Sequence, residues 1–127
     1  MNNSRMKLGK MGEELACSFL VEKGYAIIER NWRCGHYEID IVSLNKDGLH
    51  FVEVKSRVAP VSANPEENVG YRKQMKIAKA AQLYLHSVRK KEISSDIEVF
   101  FDVISVIFEG EKTSISFFPE AYVPIYT

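Results

Sequence analysis

The twenty residues from Glu38 to Arg57, Glu-Ile-Asp-Ile-Val-Ser-Leu-Asn-Lys-Asp-Gly-Leu-His-Phe-Val-Glu-Val-Lys-Ser-Arg, constrain the fold more than any other stretch. Tyr37 to Leu44 alternates Ile39, Ile41 and Ser43 against Glu38, Asp40, Val42 and Leu44. Leu49 to Arg57 alternates Val52, Val54 and Ser56 against Phe51, Glu53, Lys55 and Arg57. A period of two marks half-buried strands. Between them Asp47-Gly48 suits the centre of a two-residue type I′ turn, where both residues need positive φ. That turn predicts Leu49 opposite Lys46, Phe51 opposite Leu44, Glu53 opposite Val42 and Lys55 opposite Asp40. Opposed residues share a face, so Asp40, Glu53 and Lys55 are expected on one side, about 5–8 Å apart. A slip of one residue would send Asp40 to the other face.

Two carboxylates beside an ammonium at the edge of a buried strand suggest a divalent-metal site. Mg²⁺ or Mn²⁺ takes hard oxygen ligands, commonly one or two carboxylates with water and phosphate oxygens. A lysine two residues after the second carboxylate can hold or deprotonate an attacking water, or neutralise charge on a phosphate. The alternative is a cross-strand salt bridge between Asp40 and Lys55, with Glu53 solvated.

Glu38-Ile39-Asp40, a hairpin and then Phe51-Val52-Glu53-Val54-Lys55-Ser56-Arg57 resembles the PD-(D/E)xK nuclease core of the restriction-endonuclease-like fold. More closely, the chain resembles the YraN-like family of small bacterial predicted endonucleases, related to archaeal Holliday junction resolvases. The likeness runs from about Gly9 to Tyr122. It takes in Gly12-Glu13-Glu14-Leu15-Ala16, Arg30-Asn31-Trp32-Arg33, Lys73-Gln74 and Phe101-Asp102-Val103. It implies Mg²⁺ or Mn²⁺ on Asp40, Glu53 and the Val54 carbonyl, with Glu13 joining directly or through water. It implies further that Lys55 aligns the attacking water, that Gln74 or Lys73 steadies the phosphate, and that a 5′-phosphate is released. At position 70 the family pattern leads one to expect a Ser or Thr helix cap; here Gly70 stands, a weaker one.

At 127 residues and 46 % hydrophobic, the chain suits one domain over 1–127 with a real core, its ends 1–4 and 123–127 extended. No apolar run is long enough to span a membrane, and the polar, basic start lacks a signal-peptide core. Cys17 and Cys34 make no disulfide framework, and Cys34 with His36 offers too few ligands for zinc. A cytoplasmic location is expected. Net charge is zero, which argues mildly against tight nucleic-acid binding, but the charge is segregated. Arg72, Lys73, Lys76, Lys79, Arg89, Lys90 and Lys91 occur without an acid between Tyr71 and Lys91; seven acids against Lys112 follow. Local field decides where a polyanion lands.

Periodicity predicts a helix from about Arg5 to Lys23, stopped by Gly24, with Leu8, Met11, Gly12, Leu15, Ala16, Phe19 and Leu20 as its buried stripe. Glu13 falls at the border of that stripe and Glu14 nearer the opposite side. Tyr25 to Trp32 reads as a strand; Arg30 and Arg33 either touch phosphate or end it in solvent, and Trp32 reads as core. Val58 to Gly70 reads as a loop long enough for a substrate-side flap. A second helix, Tyr71 to Lys90, buries Ile77, Ala80, Ala81, Tyr84, Leu85 and Val88, with Gln74 in phase at its first turn. Ile97 to Phe108, apolar on both faces, is a central strand in which Asp102 must be paired. Thr113 to Phe118 closes the sheet.

The order α-β-β-β-α-β-β predicts one α/β domain, a mixed sheet flanked by helices. Its expected activity is metal-dependent hydrolysis of nucleic acid, DNA and in particular branched or single-stranded DNA. Arg72, Lys73, Lys76 and Lys79, with Arg33 and Arg57, are the candidate phosphate contacts. The alternative is a nucleic-acid-binding adaptor that keeps the fold without cutting. No membrane partner is expected; a homodimer is compatible with the reading.

Overall fold

Gly24 stops the first helix as its neighbours require. In the computed structural model, which describes residues 2–60, 70–88, 94 and 96–122, helix α1 spans Asn2–Glu22. Gly24 sits at φ +95°, Tyr25 N–H donates to Leu20 O and Gly24 N–H to Val21 O. These two bonds form a Schellman cap that satisfies carbonyls the helix leaves over. Strands β1 (Ala26–Cys34), β2 (Tyr37–Asn45) and β3 (Gly48–Val58) follow, then α2 (Tyr71–Val88), β4 (Val99–Glu109) and β5 (Lys112–Phe118). Among the described residues no helix is long and apolar enough to cross a membrane. The middle of the expected flap (61–69), Arg89, Lys90, Lys91 and the end 123–127 lie outside the described residues, as does the Val88 side chain.

The five strands lie in sequence order, β1-β2-β3-β4-β5, antiparallel except where β4 runs parallel to β3. A parallel neighbour needs a long crossover, and α2 supplies it. The order α-β-β-β-α-β-β and the mixed sheet are those of the restriction-endonuclease-like fold. Helix α1 covers one face through Ala16, Leu20, Ile41, Val52, Ile104 and Val106. On the other, Tyr84, Ala80 and Ala81 of α2 meet Ile39, Val42, Phe51 and Phe101. Trp32 is core, edge-on to Tyr84 at 5.3 Å. Met11, expected in the buried stripe, is 52 % exposed, whereas Cys17 and Ala78 are buried. Gly12 is where α1 comes closest to the sheet: a Cβ there would collide with the Ser56 hydroxyl.

The hairpin register differs from the expected one by two residues. Leu44 pairs with Leu49, Val42 with Phe51 and Asn45 with Gly48, so Lys46 and Asp47 form the turn and Asp40 does not face Lys55. Asn45 is the cause. Its Oδ1 accepts N–H bonds from Asp47 (2.9 Å) and Gly48 (3.2 Å), closing the turn one residue earlier. Gly48 is needed instead for close approach, because a Cβ would strike the Glu98 carbonyl. A shift of two preserves side-chain parity, so Glu53 and Lys55 keep the face of Phe51 and Val42 despite the wrong register.

Strict alternation nevertheless fails at Asp40. Ile39 packs on the α2 side and Ile41 on the α1 side, although two residues apart. Across the ladder, Arg30 pairs with Ile41 and Trp32 with Ile39, and the intervening Asn31 is at φ +51°. Asparagine tolerates this left-handed conformation better than most residues. The twist turns Trp32 into the α2 core, carries Ile39 with it, and leaves Asp40 at a notch in the sheet.

Candidate active site

The notch lies where β2 and β3 part. Their last pair is Ile41–Val52, and beyond it Asp40 Oδ2 accepts the Val54 N–H at 2.9 Å, a side chain replacing the missing ladder bond. Glu53 and Lys55, alternate residues of β3, enter the same cleft of about 690 Å³. Its rim includes Glu38, Arg57 and Lys73, and Ile39, Phe51, Ile77 and Tyr122 line an apolar side. The cleft therefore joins a charged half to an aromatic and aliphatic one.

Burial pushes the Asp40 carboxyl up to about 6; the Val54 N–H opposes this, while Glu53, Glu13 and Glu38 add to it. Burial also lowers the Lys55 ammonium from its ordinary value, opposed by Glu53 and reinforced by Lys73 and Arg57. Glu53 is only 10 % exposed at its side chain, with Lys73 Nζ 2.7 Å and Lys55 Nζ 4.0 Å from Oε2. The Lys73 contact is an ion pair outside hydrogen-bonding angles, and neither Glu53 oxygen accepts a hydrogen bond among the described residues. A buried carboxylate whose hydrogen bonds are incomplete is costly. It is the kind of group a bound cation would satisfy.

The sequence-predicted residues divide by position. Asp40, Glu53, Val54, Lys55, Arg57 and Lys73 line one cleft. Glu13, half-buried on α1, accepts a hydrogen bond from Asn31 Nδ2 at 2.8 Å, and its charge reaches Asp40 without its lining the cleft. Gln74 is half-buried at the first turn of α2 and is not among the described residues that line the cleft. Arg72, Lys76 and Lys79 are exposed along α2, and Arg33 is tied to Glu38 at 3.3 Å. Arg30, weighed as a phosphate contact, pairs with Glu14 at 2.8 Å. Asn31 was missed by sequence reasoning; an asparagine inside a strand was its one signal. Against the alternative of a cross-strand Asp40–Lys55 salt bridge, Asp40 accepts the Val54 amide and Lys73 pairs with Glu53.

A divalent cation fits the donors present. No three His, Cys, Asp or Glu side chains among the described residues form a metal cage. Mg²⁺ is commonly held by one or two carboxylates and completed by water and substrate phosphate, so Asp40 and Glu53 suffice.

Fold and cleft together define a restriction-endonuclease-like α/β domain with an acidic, lysine-flanked cleft on its third strand. The chain belongs to the family described as "Uncharacterised protein family UPF0102", the YraN-like proteins, whose model matches residues 12–106. It is 42 % identical over 118 residues to a UPF0102 protein of Bacteroides thetaiotaomicron, covering 93 % of each chain. It is 39 % identical to one of Clostridium kluyveri, over 96 % of this chain and 98 % of that one. With a relative from Clostridium botulinum it shares 41 % over 116 residues, 91 % of this chain and 92 % of the other.

Proposed function

We propose that the protein is a metal-dependent nuclease that hydrolyses phosphodiester bonds of nucleic acid, DNA in particular. The observation that carries this reading is the cleft holding Asp40, Glu53 and Lys55 together, with the buried Glu53 oxygens met only by lysine ammonium groups among the described residues. Asp40, Glu53 and the Val54 carbonyl would hold Mg²⁺ or Mn²⁺, with Glu13 supporting the set through water. Bound there, the cation would polarise a phosphoryl oxygen and acidify a water. Lys55, on the same strand face as Glu53, would orient the attacking water and neutralise charge that appears only in the transition state. Gln74 would steady the phosphate from α2, while Arg57, Arg72, Lys76, Lys79 and Arg33 would bind flanking phosphates.

The apolar half of the cleft supports an unpaired substrate. In a duplex the bases stack away from the backbone; in a single strand or at a branch they can splay out and stack on aromatic rings. Tyr122 and Ile77, both partly exposed, offer such a surface beside the charged half, backed by the buried Ile39 and Phe51. A nucleic-acid substrate also fits a cytoplasmic location.

One observation favours a second reading, a non-catalytic nucleic-acid-binding adaptor. Lys73 already neutralises Glu53 at 2.7 Å without a metal. One assay panel decides between the two: purified protein with Mg²⁺, Mn²⁺ or EDTA on single-stranded, duplex and four-way-junction DNA and on RNA. Metal-dependent cleavage supports the nuclease. Binding that ignores metal, with no cleavage on any substrate, supports the adaptor.

A further inference from the structure

We infer that Lys73 is the resident counter-ion of the metal site, and that a divalent cation displaces it from Glu53 toward the phosphate, making cation and phosphodiester bind cooperatively. The inference rests on the metal-site reading above and adds to it an order of events. Its basis is the 2.7 Å ion pair between Lys73 Nζ and Oε2 of a carboxylate whose side chain is 10 % exposed. A dication on Glu53 and an ammonium in contact with the same oxygen would repel each other strongly, because burial weakens screening. One must leave.

The two cleft lysines differ in their freedom to do so. Lys55 is 7 % exposed at its side chain and rooted in the centre of β3. Lys73 is 53 % exposed and stands on the first turn of α2, at the cleft rim, on a long flexible stem. Charge then sets the coupling. The cleft is lined by Glu38, Asp40 and Glu53 against Lys55, Arg57 and Lys73, formally three against three. A dication leaves two positive charges in excess, one of them made mobile, and an anionic phosphodiester, with its single negative charge, offsets one of the two. By linkage, if the phosphodiester strengthens cation binding, the cation strengthens phosphodiester binding by the same factor.

The test is calorimetric titration of Mn²⁺ into the full chain, alone and with a single-stranded phosphorothioate oligonucleotide that resists cleavage. Wild type should bind Mn²⁺ about ten-fold more tightly with the oligonucleotide present, within the usual span of coupling between sites. Lys73→Gln should bind Mn²⁺ about ten-fold more tightly than wild type without DNA, and the oligonucleotide should add little. Lys73→Arg should restore the wild-type pattern. Lys112→Gln, which removes an exposed charge on β5 that does not line the cleft, controls for general electrostatics and should keep the coupling. If wild type and Lys73→Gln bind Mn²⁺ equally, or if both keep the DNA enhancement, the counter-ion role is overturned while the metal site stands. Absence of Mn²⁺ binding by both proteins overturns the site and the inference together. Melting curves check that each variant is folded.

Discussion

Strand β3 carries two buried charge centres three to five residues apart, and they are built on opposite principles. At His50 every polar atom has a partner. Asp102, fully buried in β4, places Oδ2 2.7 Å from His50 Nδ1, and its Oδ1 accepts the Glu120 N–H at 2.9 Å. His50 Nε2 lies 2.9 Å from Asn45 Oδ1, which also accepts the two turn amides. Because that oxygen can only accept, Nε2 must donate to it, which leaves Nδ1 to face Asp102. Phe100 stacks on the ring at 4.8 Å and Tyr25 closes it edge-on at 4.9 Å. At Glu53, by contrast, an open cleft holds carboxylates whose charges oppose one another. A satisfied network rigidifies a fold, whereas an unsatisfied one is poised for a ligand.

The comparison breaks most visibly at Asp102. Asp102→Ala should destabilise the protein by about 3–5 kcal/mol, since it leaves His50 buried and unpaired and strands the Glu120 amide. Asp40→Asn, in the other centre, should leave stability unchanged or raise it, because a desolvated charge disappears. Denaturant unfolding of both variants measures the contrast. Equal losses would mean that the cleft carboxylates are as structural as Asp102.

Lys55→Ala should lower cleavage by about 10²–10³-fold or more, the usual cost of removing a group that stabilises transition-state charge. Metal and DNA affinity should stay within several-fold. Turnover and a melting curve on the same variant separate this from a structural salt bridge; undiminished cutting would remove Lys55 from the mechanism.

The pH dependence sharpens the same contrast. Asp40's folded value of about 6 lies above its ordinary 3.8, so between these values the native state holds a proton that the unfolded chain releases. Stability should therefore fall as pH rises through this window and be regained as pH falls, by up to roughly 3 kcal/mol from this group. Asp40→Asn should flatten that component, and saturating Mg²⁺ should offset the loss above pH 6. Thermal melts across the window, with and without metal, measure it.

Smaller effects concern the cleft rim. Tyr122→Ala should weaken single-stranded DNA binding by about 1–3 kcal/mol and duplex binding much less, as loss of a stacking surface does. Reversing charge at Lys76 and Lys79 should weaken binding alike for all sequences and reduce its salt dependence. Fluorescence anisotropy at several salt concentrations tests both; unchanged binding in the second case would put the DNA on another face.

Several elements were legible before the structure because their causes are local. Gly24 ends α1 where the helical stripe stops, and the seven-element order follows from runs of period two and of three to four. The shared face of Glu53 and Lys55 was legible too, since parity alone puts alternate residues on one face. What escaped was set by side chains that act on backbone. Asn45 captured two amides and moved the turn, and Asn31 turned left-handed and broke the alternation at Asp40. Asp102 could be recognised as paired, but His50 as its partner depends on parallel β3–β4 pairing, across fifty-two residues.

The sequence by itself thus determined the elements, their order and the face shared by Glu53 and Lys55, because helix and strand periods act over a few residues. Tertiary structure alone decided the register, the notch that receives Asp40, and the partners of each charge. The reason is distance along the chain. Lys73 reaches Glu53 only once α2 has crossed over the sheet, and Asn31 reaches Glu13 only once α1 has docked against it.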